Sequence, residues 1–287
     1  MGDLRLVLRG MWFRRGLSLA VLVLASLVVG GAVTGPLFLR AAGESVLRDT
    51  LDQALPAGRI MRIQFPMTVQ QQPLTLVERV SAARLNRFPT LTRLLEPPVA
   101  SLQVGAVAGS PGITGDSAPL VYRDGVCAHV RMVEGQCPVK PGAVMVSATS
   151  AGSQHWSVGA PLLIDGVRVT IAGIYAPLDP TGDYWAGRPY FAAFSGSGAA
   201  GDLVGGLDAV FAPLETVQAQ PADIGATGAV DRRLDLRRIR LTDVPSLTTE
   251  LLGYSEGFSP GSTSAIVGVL AQATEIKDKL LSPVIVV

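Results

Sequence analysis

Residues 16–39 read GLSLAVLVLASLVVGGAVTGPLFL and carry no charge. At ~1.5 Å of rise per residue a helix of this length is about 36 Å long, enough to cross a ~30 Å hydrocarbon core. In lipid the backbone must satisfy its own hydrogen bonds, so a segment of this kind is an α-helix. Arg5, Arg9, Arg14 and Arg15 precede it with only Asp3 in opposition, which places the N-terminus in the cytoplasm and everything after Arg40 outside. The run is far longer than the 7–15 apolar residues of a cleaved signal peptide, so it reads as a retained anchor. Residues 1–15 alternate apolar residues with arginine and bring Trp12 next to the span, the pattern of a cytoplasmic amphipathic segment at the interface.

Composition agrees with a membrane-associated chain. Of 287 residues 48% are hydrophobic and 16% charged, and the mean hydropathy is +0.38, which excludes global disorder and a coiled coil. The 24 Lys and Arg against 23 Asp and Glu leave a net charge of +1, so no basic field exists to hold nucleic acid phosphates. Inside the span Gly31 and Gly35 form a G-x-x-x-G, with Ser26 and Gly30 a second small pair, where another helix can approach closely. The alternative is that glycine is simply common in membrane helices.

Residues 40–279 read as an extracytoplasmic α+β domain. Val46, Leu47, Leu51 and Leu55 continue a helical spacing out of the span until Pro56 stops it. Residues 60–69 alternate as a strand, and residues 74–95 read as one or two helices with a second segment beginning at Pro89. Between residues 100 and 175 short Val-, Ile- and Leu-rich runs recur between Gly and Pro punctuation, as expected of a compact sheet or small barrel. Within them LLIDGVRVTIAGIY predicts a hairpin whose two-residue turn is Asp165-Gly166. Residues 195–206 are poor in side chains able to bury area and read as a loop. Strands follow at 207–212 and 227–234, then a helix over 236–258 broken at Pro245. From Ser262 onward Ile266, Val269, Leu270, Ala273, Ile276 and Leu280 share one helical face. Residues 280–287 read as the start of a second membrane helix.

The chemistry-bearing residues are few. Outside the cytoplasm Cys127 and Cys137 are disulfide candidates, placed on two arms of a hairpin turning near Glu134 and Gly135. The competing reading is a zinc site of Cys127, His129, Cys137 and His155, although neither C-x-x-C nor H-x-x-x-H spacing occurs. Ser147, Ser150 and His155 lie close in sequence without forming a recognisable nucleophile and base. No G-x-S-x-G and no P-loop is present. Gly196, Gly198 and Gly201 match G-x-G-x-x-G, with Asp223 about twenty residues on, but the flanking segments fit neither the strand nor the helix that a dinucleotide site requires. Tyr184, Trp185, Tyr190 and Phe191 can line a groove or, as the density of aromatics favours, belong to a core.

A cytoplasmic amphipathic start, one span running into an outer helix, an α+β ectodomain and a return helix entering a second span together resemble the FtsX-like (MacB-type) ABC transporter permeases. The likeness is most specific over residues 141–175, PGAVMVSATSAGSQHWSVGAPLLIDGVRVTIAGIY. In the family a strand there is followed by a helix, a V-G-D-like turn and a strand ending in V-x-G-x-Y. Here Val158-Gly159-Ala160 lacks the usual Asp, and Ala172-Gly173-Ile174-Tyr175 supplies the ending. Cys127, Gly135-Gln136-Cys137-Pro138, Asp183-Tyr184-Trp185 and Tyr190-Phe191 resemble an actinobacterial branch. The resemblance implies a MacB-like periplasmic core domain in the plasma membrane, held between one complete span and the start of another. Its implied partners are a cytoplasmic ABC ATPase subunit, a second permease copy or half, and membrane lipid. It implies no cofactor and no catalytic residue in this chain, with the helices over 41–55 and 262–281 as levers that carry ATP-driven motion outward. The alternative from another class is a single-pass anchored binding or signalling domain, and an anchored cell-wall enzyme lacks a convergent nucleophile.

Overall fold

The computed structural model describes residues 19–27, 29–30, 41–42, 44–45, 48–49, 60–69, 74–113, 115–191, 206–221, 224–240, 242–255, 268, 270–271 and 275. The chain divides into two compact units, Met1–Asp52 with Ala271–Val287, and Gln53–Leu270.

In the first unit, residues 19–27 and 29–30 are helical, and Leu19, Leu22, Leu24 and Leu27 are each more than 60% exposed. Among the described residues no helix is long and apolar enough to cross a membrane; the rest of 16–39, including Gly31 and Gly35, lies outside them, as do residues 1–15 and 280–287. Residues 41–42, 44–45 and 48–49 are also helical, while Val46, Leu47, Leu51 and Leu55, which carried the expected outward continuation, lie outside the described residues.

The second unit is α+β. Its strands are β1 (Ile60–Thr68), β2 (Val99–Gly109), β3 (Asp116–Arg123), β4 (Val130–Gly135), β5 (Ala143–Ser147), β6 (Pro161–Ile164), β7 (Val167–Pro177), β8 (Val210–Phe211) and β9 (Gly225–Arg233). They form one sheet in the order β1-β9-β2-β3-β8-β5-β7-β4, and β6 pairs with both β2 and β7. That double pairing closes a ring, β2-β3-β8-β5-β7-β6 and back to β2. Of the compact sheet and the small barrel left open by the recurring apolar runs, the barrel is present, with β1 and β9 extending it beyond β2, and β4 beyond β7.

Strands β3, β5 and β8 and residues 173–175 of β7 are buried on both faces, which explains why they read as apolar runs, whereas β6 and the start of β7 alternate. Leu120, Val144, Val146, Ile174 and Val210 enter one core, while their immediate neighbours Val121, Met145, Tyr175 and Phe211 enter another. Successive side chains of a strand point to opposite faces, so the two cores lie on either side of one wall. The first core also holds Leu74 and Val77 of helix α1 (Leu74–Leu85). The second holds Trp185, Tyr190 and Phe191.

The hairpin at Asp165-Gly166 forms as expected. Ile164 pairs with Val167, and Asp165 and Gly166 take φ of 46° and 82°, the signs a type I′ turn demands. Asp165 also ties the turn to β2: its Oδ1 accepts from Val107 N at 2.9 Å, and its own N donates to Val107 O at 3.0 Å. Midway along β7, Gly135 (φ 70°) and Gly173 let two backbones touch, since a Cβ on Gly173 would stand 2.6 Å from Gln136 O.

Two expectations are corrected. Strand β8 is confined to Val210–Phe211, because Leu207 and Ala209 donate instead to Ser117 O and Tyr190 O. The helix expected over 236–258 is a 3-10 turn (Leu236–Arg238) followed, after α2 (Pro89–Leu94), α3 (Ala148–Gln154) and α4 (Leu214–Gln218) in chain order, by α5 (Val244–Ser255). Pro245 sits in the first turn of α5 rather than breaking it, where its missing N–H costs nothing. Helix α2 does begin at Pro89, and Glu250 of α5 accepts from Thr90 N and Leu91 N at 3.2 and 2.7 Å, satisfying its free amides.

Candidate functional site

Asp231, near the end of β9, is 3% exposed and is the centre of the most unusual electrostatics in the second unit. Its Oδ1 accepts from Arg62 Nε of β1 at 2.8 Å, and its Oδ2 from Arg123 Nη1 of β3 at 2.8 Å and Arg188 Nε at 3.3 Å. Burial alone would raise this carboxyl, but the guanidiniums of Arg188, Arg62 and Arg123 outweigh it and hold it at about 2. The arginines also grip the segment after β7: Arg62 Nη2 donates to Ala186 O at 2.6 Å, and Arg123 Nη2 to Tyr184 O. Strand registry explains the convergence, since Arg62 and Asp231 are direct cross-strand partners.

Beside this cluster a cleft of about 760 Å³ opens, with Arg123 and Asp231 in its wall. Ile60, Pro97, Pro98, Val99 and Leu178 give it an apolar side. Arg233 spans its edge, bonding Glu96 at 2.6 and 2.7 Å and Asp183 at 3.0 Å. Tyr184 forms the partition. Its ring stacks on His129 at 3.5 Å between centroids and 7° between planes, and the Arg123 guanidinium lies 4.8 Å from its centre. Burial, reinforced by the Arg123 charge, lowers the His129 pKa, and burial raises that of Tyr184 although Arg123 opposes it.

Cys127 and Cys137 are joined as a disulfide with Cα atoms 6.0 Å apart. They do not lie on two arms of a hairpin. Cys127 is in a 3-10 turn, and the intervening chain forms β4, which pairs with β7. The bond removes both sulfurs from any zinc set, and no group of three possible ligands gathers among the described residues. Ser147 caps α3, accepting from Ser150 N at 3.0 Å, and Ser150 Oγ in turn accepts from Asp208 N at 3.0 Å. His155 ends the same helix at φ 56°, and no hydrogen bond joins it to either serine among the described residues. These three residues serve local structure. Gly196, Gly198, Gly201 and Asp223 lie outside the described residues.

Of the four aromatics, Trp185, Tyr190 and Phe191 are core, as favoured, at 1–3% exposure. Tyr184 and Trp185 also line the cleft. Arg62, Arg123, Arg188 and Asp231 belong to no sequence motif, although for Arg62, Arg123 and Asp231 one signal existed: charged residues set within otherwise apolar strands need buried partners.

No family model matches the chain, and neither does any curated protein. Solved structures do align. The periplasmic region of MacB from Actinobacillus actinomycetemcomitans matches with a TM-score of 0.40 and 11% identity, over 76% of this chain and 94% of that one. A domain of a permease protein from Porphyromonas gingivalis matches with a TM-score of 0.34 and 11% identity, over 74% and 89%. The extracellular domain of the noncanonic ABC-type transporter YknZ from Gram-positive bacteria matches with a TM-score of 0.34 and 11% identity, over 68% and 94%. At such identity no residue role transfers to this chain.

Proposed function

We propose that the chain is the membrane-anchored permease subunit of an ABC transporter, its α+β unit outside the cytoplasm and its energy drawn from a separate cytoplasmic ATPase. The observation that carries this reading is the agreement of pattern and structure over residues 141–175. There the family's strand, helix, turn and strand appear as β5, α3, a turn with Gly159 at φ 83°, and β6–β7. Tyr175, which ends the motif, is fully buried and donates to Ala209 O at 2.7 Å, so the motif residue locks β7 to the segment before β8. Leu19, Leu22, Leu24 and Leu27, exposed on one helix, suit a lipid environment. In this reading closure of the ATPase dimer moves helices that lead into β1 and out of α5, and a second permease copy completes the assembly. The cargo is a lipid, lipoprotein, peptide or drug, or the motion activates a partner outside.

The test begins with the reading frame beyond Val287 and the neighbouring genes. Further spans and an adjacent P-loop ATPase are expected, and the two proteins co-expressed should purify together with vanadate-sensitive ATP hydrolysis. A chain that purifies alone, with no ATPase encoded nearby, overturns the proposal and leaves an anchored binding domain as the better account.

A further inference from the structure

The structure assigns a second property to the second unit: we propose that Arg62, Arg123 and Arg188 form a binding site for a phosphate group that enters from the adjoining cleft. The inference is independent of the transporter reading. Asp231 is the only carboxylate bonded to these arginines among the described residues, so three guanidiniums face one negative charge. The side chains of Arg123 and Arg188 are only 1% and 7% exposed, so water does little to disperse that charge.

Donors are also in excess. Arg123 Nε, Arg188 Nη2 and Tyr190 Oη are buried with no hydrogen-bond partner. Arg123 and Arg188 meet at the same Asp231 oxygen, and the Arg123 guanidinium lies 6.0 Å from the Tyr190 ring centre, so the unused donors belong to one cluster. Buried donors of native proteins are nearly always satisfied, which makes three together a demand for an acceptor. A phosphate group offers several acceptor oxygens and negative charge at once, the geometry for which guanidinium forks are suited. Water would supply acceptors without charge.

The cleft provides the approach. Arg123 and Asp231 are part of its wall, and Ile60, Pro97, Pro98 and Val99 give it room for an apolar carrier. At its edge the acidic Glu96 and Asp183 are bridged by Arg233, and Asp179 accepts from Thr181. Basic depth and acidic edge together suit a phosphate bearing an amine. The phosphate is the shared chemistry of two sources, the free ion and a lipid headgroup.

The full chain in detergent, kept in chloride buffer, is titrated by calorimetry with inorganic phosphate and separately with O-phosphoethanolamine. Saturable binding is expected for at least one, weakened at least about tenfold in Arg188→Gln and unchanged in Arg131→Gln on exposed β4. Equal binding of both probes identifies phosphate alone as the ligand, and preference for O-phosphoethanolamine identifies a headgroup. No saturable binding of either probe up to about 10 mM overturns the proposal, as does wild-type affinity in Arg188→Gln. Should Arg188→Gln fail to fold by circular dichroism, Tyr190→Phe decides, because it removes one donor without changing charge. Several-fold weaker binding is expected there, and unchanged affinity overturns the site.

Discussion

Replacing Asp231 by Asn is the most informative single change. The amide is almost isosteric but removes the one carboxylate bonded to Arg62, Arg123 and Arg188. Removing one partner of a buried ion pair typically costs about 3–5 kcal/mol, because the remaining charge stays desolvated. Here the partner side chains are 24%, 1% and 7% exposed, so Arg123 and Arg188 cannot turn to water, and the loss belongs in that range. For a unit of this size each kcal/mol lowers the midpoint by about 2–4 °C, giving a fall of roughly 6–20 °C in thermal unfolding followed by circular dichroism. The pH profile supplies a second reading. Asp231 titrates at about 2 in the folded chain against 3.8 ordinarily, so its stabilisation is complete above pH ~4 and is lost as pH falls towards 2. By that difference it is worth about 2–3 kcal/mol at neutral pH. In the Asn variant this part of the acid sensitivity should vanish. A variant that unfolds within about 1 kcal/mol of the wild type, with an unchanged acid limb, would refute the view that Asp231 holds the arginines together.

Three further changes follow from the same geometry. Exchanging Cys127 and Cys137 together for Ser opens a loop of sequence separation 10, and chain entropy sets the loss at about 2–3 kcal/mol; urea unfolding measures it, and hydrogen exchange should quicken first in β4. Gly135→Ala should cost more than Gly166→Ala although both have positive φ, because a Cβ at Gly135 would overlap the Ala172 carbonyl whereas at Gly166 it meets nothing within 4 Å. Strain alone is worth about 1 kcal/mol at Gly166, and Gly135→Ala should exceed it at least twofold in urea unfolding. His129 should titrate below its ordinary value by NMR, and Tyr184→Ala, which removes the stacked ring, should raise its midpoint. Because its folded pKa is depressed, His129 favours the native state above pH ~6.5, and that contribution is lost as pH falls below this value.

Local signals in the chain were strong where a single residue type had no alternative. The Asp165-Gly166 turn, the start of α2 at Pro89 and the helical spacing of α1 needed only nearest neighbours to be legible. The short apolar runs announced a compact sheet or a small barrel without deciding between them, since strands buried on both faces need not alternate. Closure of the ring through β6 was not legible, because it depends on Ala108 and Gly109 of β2 meeting Leu163 and Ile164 more than fifty positions later. Pro245 misled because the same residue that breaks a helix interior is well tolerated in its first turn. The disulfide partners were evident from the compartment, but not the strand lying between them, since nothing near Gly135 says whether the chain turns back or pairs elsewhere.

The arginine cluster shows why a site of this kind escapes a linear reading. Arg62 and Asp231 are 169 positions apart, and Arg123 stands 108 positions from Asp231, so no window of sequence contains two members of the pair network. What brings them together is register. In the β1–β9 ladder Arg62 stands opposite Asp231, and in the β2–β9 ladder Val99 does. A one-residue slip of β1 on β9 would turn the Arg62 side chain to the opposite face and leave Asp231 without one of its partners. The loss of the Arg62 pair thus opposes misregister of the edge strand that follows the apolar helix. An edge strand is otherwise free to slide, and among the described residues β1 has only β9 beside it. The same ion pairs therefore fix the sheet and concentrate positive charge beside the cleft, which is why a stability test and a binding test converge on these residues.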